Sequence, residues 1–555
     1  MNELCQLLLH VEDGDTLTLQ QGKTYHVRPE DSFMFTGYYC SNSAKKNENP
    51  DGTRYSAIYL KNKRNVVIDG NGATLMIHGK MTHFLFDACE NITVKNLTVD
   101  HACPTMTEFT VLSNDRGVCE IRFHPDCRFR VEGNQLYFCG EHNLAGQPYW
   151  EYPAEGGYRF TKQYSPLEEI SRDFYNGEFV FDQIEPLDEH TLRVTCKNRD
   201  IQLFPGHVIQ SRNIVRDQVG GFAQRCKNLH YEALRIKFMH GLGMVHQFCE
   251  NVTFLNCDLT PGEGRTIAST ADFFQFSGCR GNLIIENCKA SGAHDDFINV
   301  HGTHLRIIET NEAERSMTVR FMHDETWGFQ AYEIGDELEW IRWDTLQPYA
   351  KATVVAYEKL NDTDIRLTVD RDLPADTVVG KDVIENATWT PNLYVRACDV
   401  YTSSSRGVLC TTRGEVIIEN NRFSHLSGTV LCIEDDCNFW FESGYTNHIV
   451  FRNNQVIGCG YLRSDSVIRY TPKVMNGESE AYVHGKLTMT GNDFRKAFPG
   501  KHVLRFDYLR EAEIVGNTFD APMEIRTHRS GTVTERDNLV SDIKKDCFER
   551  LSYQR

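Results

Sequence analysis

Three aspartates are the residues best suited to chemistry. Asp272 lies in the short aromatic run ADFFQF. Asp295 and Asp296 follow 23 and 24 residues later in GAHDDFINVHGT, with His294 before them and Asn299 and His301 after. Hydrolysis of a glycosidic bond needs a protonated acid at the leaving oxygen and a second carboxylate that activates water or attacks the sugar. Close, like-charged carboxylates push one pKa upward, which keeps one acid protonated near neutral pH. Adjacent residues of a regular strand face opposite sides, so Asp295 and Asp296 share a site only if the chain bends between them. Gly292 and the polar AHDD predict that bend; without it, one carboxylate would be driven unpaired into the core. A single acid in a β turn commonly just solvates a loop. Three at this spacing, flanked by His294 and His301, read instead as a site.

The spacing follows from a repeat. A unit of the form E-N-ϕ-x-ϕ-x-N-x-x-ϕ, with ϕ apolar, appears as ENITVKNLTVD (90–100), KNLHYEALRIKF (227–238), ENVTFLNCDLT (250–260) and GNLIIENCKAS (281–291). It recurs as PNLYVRACDVY (391–401), GEVIIENNRFS (414–424), NHIVFRNNQVI (447–457), KLTMTGNDFRK (486–496) and AEIVGNTFDAP (512–522). A period in the low twenties, with short strands and Asn at a turn, marks a parallel β-helix. Each coil would stack about 4.8 Å from the last, with Asn, Ser, Thr and Cys laddering through the interior. A β-sandwich would not repeat one asymmetric pattern nine times, and the LxxLxLxxN of leucine-rich repeats is missing. The expected fold is all-β: a right-handed parallel β-helix interrupted by antiparallel, barrel-like insertions. Its expected parts are a cap and first coils (1–101), a β-rich insertion (102–214), central coils carrying the acids (215–305), a barrel-like insertion (306–390), and C-terminal coils with a cap (391–555). A short helix is expected after Asn538.

Composition narrows the partners. The chain has 555 residues, 77 acids and 59 bases, a formal net charge of −18. Acidic and without a basic cluster, it is a poor binder of nucleic acid or anionic membrane. No run of about 20 apolar residues predicts a membrane span. The N-terminal MNELCQLLLHVEDGDTLTL has no basic leader region, so a cytoplasmic location is expected, or a secreted or periplasmic one if a leader has been removed. The 19 cysteines form no CxxC pair and read as reduced, buried small hydrophobes. No EF-hand or carboxylate cage is visible, so no metal and no cofactor are expected. The sides of the β-helix and its insertions suggest a homodimer.

A second cluster, CIEDDCNFWFESG (432–444), places Trp440 and Glu442 where a ring could stack on a sugar and a carboxylate could accept its hydroxyls. Glu434, Arg413 and Arg265 lie in loops that could rise on the same side. His294 and His301 could bind hydroxyls or orient an acid.

The pieces DFFQFSGCRGN, GAHDDFINVHGT, NFWFESG and VIDGNGATLMIHG resemble glycoside hydrolase family 110, over most of the chain. That resemblance implies an inverting exo-glycosidase removing terminal α-1,3-linked galactose, from branched blood-group-B-type chains or from linear Gal-α-1,3-Gal. It implies Asp272, Asp295 and Asp296 as catalytic acids, and tips Trp440 and Glu442 towards substrate binding. The HDD motif is shared more loosely with polygalacturonases, by whose logic Asp295 is the general acid and Asp272 with Asp296 the base. The competing expectations are a polysaccharide lyase or polygalacturonase-like enzyme on the same fold, and a non-catalytic glycan-binding β-helix.

Overall fold

The computed structural model describes residues 1–155, 160–174, 179–462, 466–498 and 500–541. Short strands wind into coils and line up in three long sheets of 12, 12 and 13 strands. Almost all neighbours in these sheets are parallel and in register. In the third sheet, Met244, Phe274, Ile298, Val408 and Leu431 are consecutive partners.

The turns explain the repeated Asn. Asn65, Asn91, Asn228 and Asn251 all sit at φ near +55°, a left-handed conformation that Asn tolerates better than most residues. Their side chains then donate from coil to coil: Asn91 to Asn65 at 2.8 Å, Asn228 to Asn91 at 2.8 Å and Asn251 to Asn228 at 2.9 Å. A second ladder is fully interior. Asn421, Asn454, Asn492 and Asn517 are buried, and each donates through Nδ2 to the next one's Oδ1. Cys398 stands one coil above, its N–H donating to Asn421 Oδ1 at 2.8 Å. Every cysteine among the described residues is free and buried.

The first end is closed by a helix that the alternating pattern did not announce, Glu3–Leu8. Asn2 caps it by accepting from the Cys5 N–H, and Leu4, Cys5 and Leu8 cover the first coil. At the other end, Leu539–Val540 forms one more strand where a helix was expected. The remainder of that expected helix lies outside the described residues.

Two antiparallel bodies interrupt the coils. Strands between Met106 and Arg212 form an open seven-stranded sheet with a three-stranded companion. Strands between Leu305 and Asn386 close into a six-stranded barrel around Trp340, Leu338 and Leu367. The barrel core continues into the β-helix through Phe248 and Trp389. No helix among the described residues is long and apolar enough to cross a membrane.

The interior ladder gives a test. Asn454→Leu strips partners from the buried Asn421 N–H, from Ile418 O and from Asn492. It is expected to destabilise the protein by about 3 kcal/mol, seen as a lower urea midpoint. An unchanged midpoint would show that the ladder contributes nothing net.

Candidate active site

The site grows from one position of the coil. Two residues before each matched strand position of the third sheet stand Leu242, Asp272, Asp296 and Arg406, in successive coils. All four line one pocket of about 130 Å³. The backbone contact repeats from coil to coil: Asp296 N–H donates to Asp272 Oδ1 at 3.0 Å, and Arg406 N–H to Asp296 Oδ1 at 3.3 Å.

Asp295 reaches the same pocket from the preceding position. Gly292 adopts φ +76°, and a Cβ there would lie 2.3 Å from Thr266 O, so glycine is required. Ala293 bridges to Ser269, and residues 294–297 leave the strand geometry. This turn brings both acids to the pocket. One carboxylate oxygen from each of Asp272, Asp295 and Asp296 lies within 4.8 Å of the others.

Their environments differ. Asp272 and Asp296 are 4% and 1% exposed, whereas the Asp295 side chain is 37% exposed. Burial, then the neighbouring Asp295 and Asp296, holds the Asp272 carboxyl well above the usual range. Burial pushes Asp296 up to about 6; Arg406 pulls it down and Asp295 pushes it further up. Asp296 Oδ1 accepts from Arg406 Nε at 2.7 Å and from Ser405 Oγ at 3.2 Å. Its Oδ2 is buried without a hydrogen-bond partner among the described residues. Two hydrogen bonds of about 2.7 Å from one water, at its tetrahedral angle, span about 4.5 Å, so the trio is spaced to hold a water. It is also the one acidic group among the described residues whose oxygens could share a cation.

The rest of the lining comes from distant segments. Glu442 is placed by its antiparallel pairing with Thr303 and accepts from Asn42 at 2.5 Å and from Asn299 at 3.3 Å. Glu434 accepts from Arg469 at 2.8 Å; burial opposes its charge, but Arg469, Lys473 and Arg406 together hold its pKa low. Trp440, Phe439, Asp436, Lys473, Leu409 and Arg216 complete the wall.

Asp272, Asp295, Asp296, Glu434, Trp440 and Glu442 are thus brought together. Four expected binders, Arg265, Arg413, His294 and His301, do not line that pocket and are held elsewhere. Arg265 is spent on Asp126, Glu108 and the Met106 carbonyl, tying the first insertion to the coils. Arg413 pairs with Glu339 and Glu385 of the barrel at 2.7 Å each. His294 turns away and donates to Gln210 at 3.2 Å. His301 is buried behind Glu442, donating through Nδ1 to the Gly302 carbonyl at 2.7 Å. Sequence reasoning passed over Asn42, Arg216, Arg406, Asp436, Phe439 and Lys473. Arg406 left a signal, because it holds the coil position of Asp272 and Asp296 two turns and one turn on, and Asp436 and Phe439 lie within the 432–444 cluster.

Residues 316–384 match the family described as "GLAA-B beta-barrel domain II". Alpha-1,3-galactosidase A of Bacteroides fragilis is 32% identical over 487 residues, covering 86% of this chain and 78% of its own. Alpha-1,3-galactosidase A of Bacteroides thetaiotaomicron is 34% identical over 464 residues, covering 82% and 78%. Alpha-1,3-galactosidase B of the same organism is 28% identical over 527 residues, covering 92% and 81%. With this identity over most of both chains, the chain belongs to the alpha-1,3-galactosidase family.

Proposed function

We propose that this protein is an exo-acting α-1,3-galactosidase that hydrolyses terminal α-1,3-linked galactose from oligosaccharides or glycoconjugates, with inversion at C1. The observation that carries the chemistry is the convergence of three carboxylates from two adjoining coils on one pocket, two of them buried and raised in pKa. Asp295, the most exposed, donates a proton to the leaving oxygen as the C1–O bond breaks. Asp296, with Oδ1 held by Arg406 and Oδ2 free to accept, and Asp272 beside it hold the attacking water. One of them takes the water's proton as its oxygen bonds C1 on the opposite face. Burial, with the neighbouring Asp295 and Asp296, favours the proton on Asp272. The spacing of the acids lets a proton pass from Asp272 to Asp295 before each turnover.

One oxygen of each of the three acids lies within 4.8 Å of the others, closer than the roughly 6.5–9.5 Å usual between the two carboxyl groups of inverting enzymes. The product's anomer decides between inversion and retention. NMR of the first-formed sugar is expected to show β-galactose; α-galactose would mean retention.

The roles separate by leaving group. Asp295→Asn is expected to lower the rate on Gal-α-1,3-Gal by about 10²–10⁴-fold while losing much less on α-galactosyl fluoride, whose departure needs no acid. Asp296→Asn is expected to lose both. Equal losses in the two variants would refute the assignment. Assaying linear and branched α-1,3-galactosides side by side measures the preference between them.

The acidic limb of the kcat/KM profile is expected near pH 6, because the rate rises as Asp296 ionises. Arg406 stabilises that ionised form, so Arg406→Gln moves the limb to higher pH. A limb unmoved in the variant would remove Asp296 from the base role. EDTA is expected to leave the rate unchanged; a loss restored by calcium would reassign the trio to a cation.

A further inference from the structure

The mouth of the pocket carries a second arrangement, built on a buried acid outside the trio. Asp436 gathers three consecutive backbone N–H groups: Asn438 and Phe439 donate to Oδ1 at 2.8 and 3.0 Å, and Trp440 donates to Oδ2 at 2.5 Å. The turn is closed by Phe441, which is buried and sits at φ +60°. Phe439 and Trp440 project from it with 58% and 46% exposure, and both line the pocket. The barrel supplies a backing: the His323 ring stacks on Trp440 with centroids 4.2 Å apart and planes at 27°. His323 is itself fixed, its Nδ1 accepting from the Glu325 N–H at 3.3 Å and its carbonyl from the Thr326 N–H at 3.0 Å.

We propose that Phe439 and Trp440 form the binding platform for the sugar on the leaving side of the cleaved bond, and that Asp436 and His323 position it. This rests on the glycosidase reading of the pocket. The terminal galactose has to reach Asp272 and Asp296 at the buried end, so the remainder of the substrate emerges past the exposed end, where the two rings stand. Aromatic faces meet the C–H faces of pyranoses, burying apolar surface without competing for hydroxyls. A galactopyranoside suits such a platform, because its axial O4 leaves the hydrogens at C3, C4 and C5 together on one face. The platform therefore selects a pyranoside on the leaving side, and the barrel takes part in that choice through His323.

The test compares Gal-α-1,3-Gal, which places a sugar on the platform, with α-galactosyl fluoride, which does not. Trp440→Ala is expected to lower the ratio of their kcat/KM values about tenfold, mostly through KM for the disaccharide. Trp440→Phe keeps a ring and restores most of the ratio. His323→Ala and Asp436→Ala shift it in the same direction by several-fold, and Asp436→Asn, which keeps one acceptor oxygen, shifts it less. Equal losses on both substrates would overturn the assignment, placing Trp440 at the terminal galactose or in the fold alone. No loss on either would also overturn it. If the wild-type protein hydrolyses neither substrate, the glycosidase reading itself fails, a result distinct from any change of ratio among active variants.

Discussion

Everything in this molecule depends on the register of parallel hydrogen bonds between successive coils. A parallel ladder fixes which residue stands above which, and a slip of one residue would move every side chain to the other face. Here the ladder holds Phe274 beside Ile298 and Ile298 beside Val408. Leu242, Asp272, Asp296 and Arg406 are therefore one column, apolar, acid, acid, base. The pocket is the side of that column where the strands have not yet begun. The interior ladders of Asn and Cys keep the register by satisfying buried polar groups between coils.

The column also sets an electrostatic problem. Two buried carboxylates one coil apart repel each other and lose their hydration. Arg406 relieves Asp296, yet its pKa still stands near 6, against 3.8 as the ordinary value. A folded pKa above the unfolded one means that the neutral form fits the fold better. The contribution is fully present below about pH 4 and is lost as pH rises through 6, a loss of about 3 kcal/mol. The acids most useful for turnover are the ones the fold holds least comfortably in their working form, a common bargain at catalytic centres.

Much of this was legible in the sequence because a repeat writes its geometry into spacing. The interval from Asp272 to Asp296 is one coil, and Gly292 marks the bend that frees the second acid. The β-helix itself is announced by Asn at turns that require a left-handed backbone. What stayed illegible came from outside the repeat. Asn42 touches Glu442 across 400 residues of chain, a distance no local pattern encodes. Arg413 and Arg265 sit near the motif in sequence but are claimed by acids of the two insertions, whose docking no periodicity predicts. His294 is adjacent to Asp295, yet at the bend the two side chains diverge. The terminal strand at Leu539–Val540 reads as helix only because the stacking edge that pairs with it is remote in sequence.

The barrel is inserted between the coil that bears Asp295 and Asp296 and the coil that bears Arg406. The Arg406–Asp296 ion pair spans 110 residues because of it. As the chain leaves the ribosome, the acids emerge first and their counter-charge emerges only after the whole barrel has been made. Until then the growing solenoid ends on a coil with crowded, unneutralised carboxylates and an open sheet edge, the state in which nascent β proteins mispair. The barrel completes its own ladder within that interval and carries Glu339 and Glu385, the acids that Arg413 of the next coil pairs with. The counter-charge of the site and the next coil of the solenoid come from the same late stretch of chain, so a chain cut before it carries the acids without the environment that makes them work.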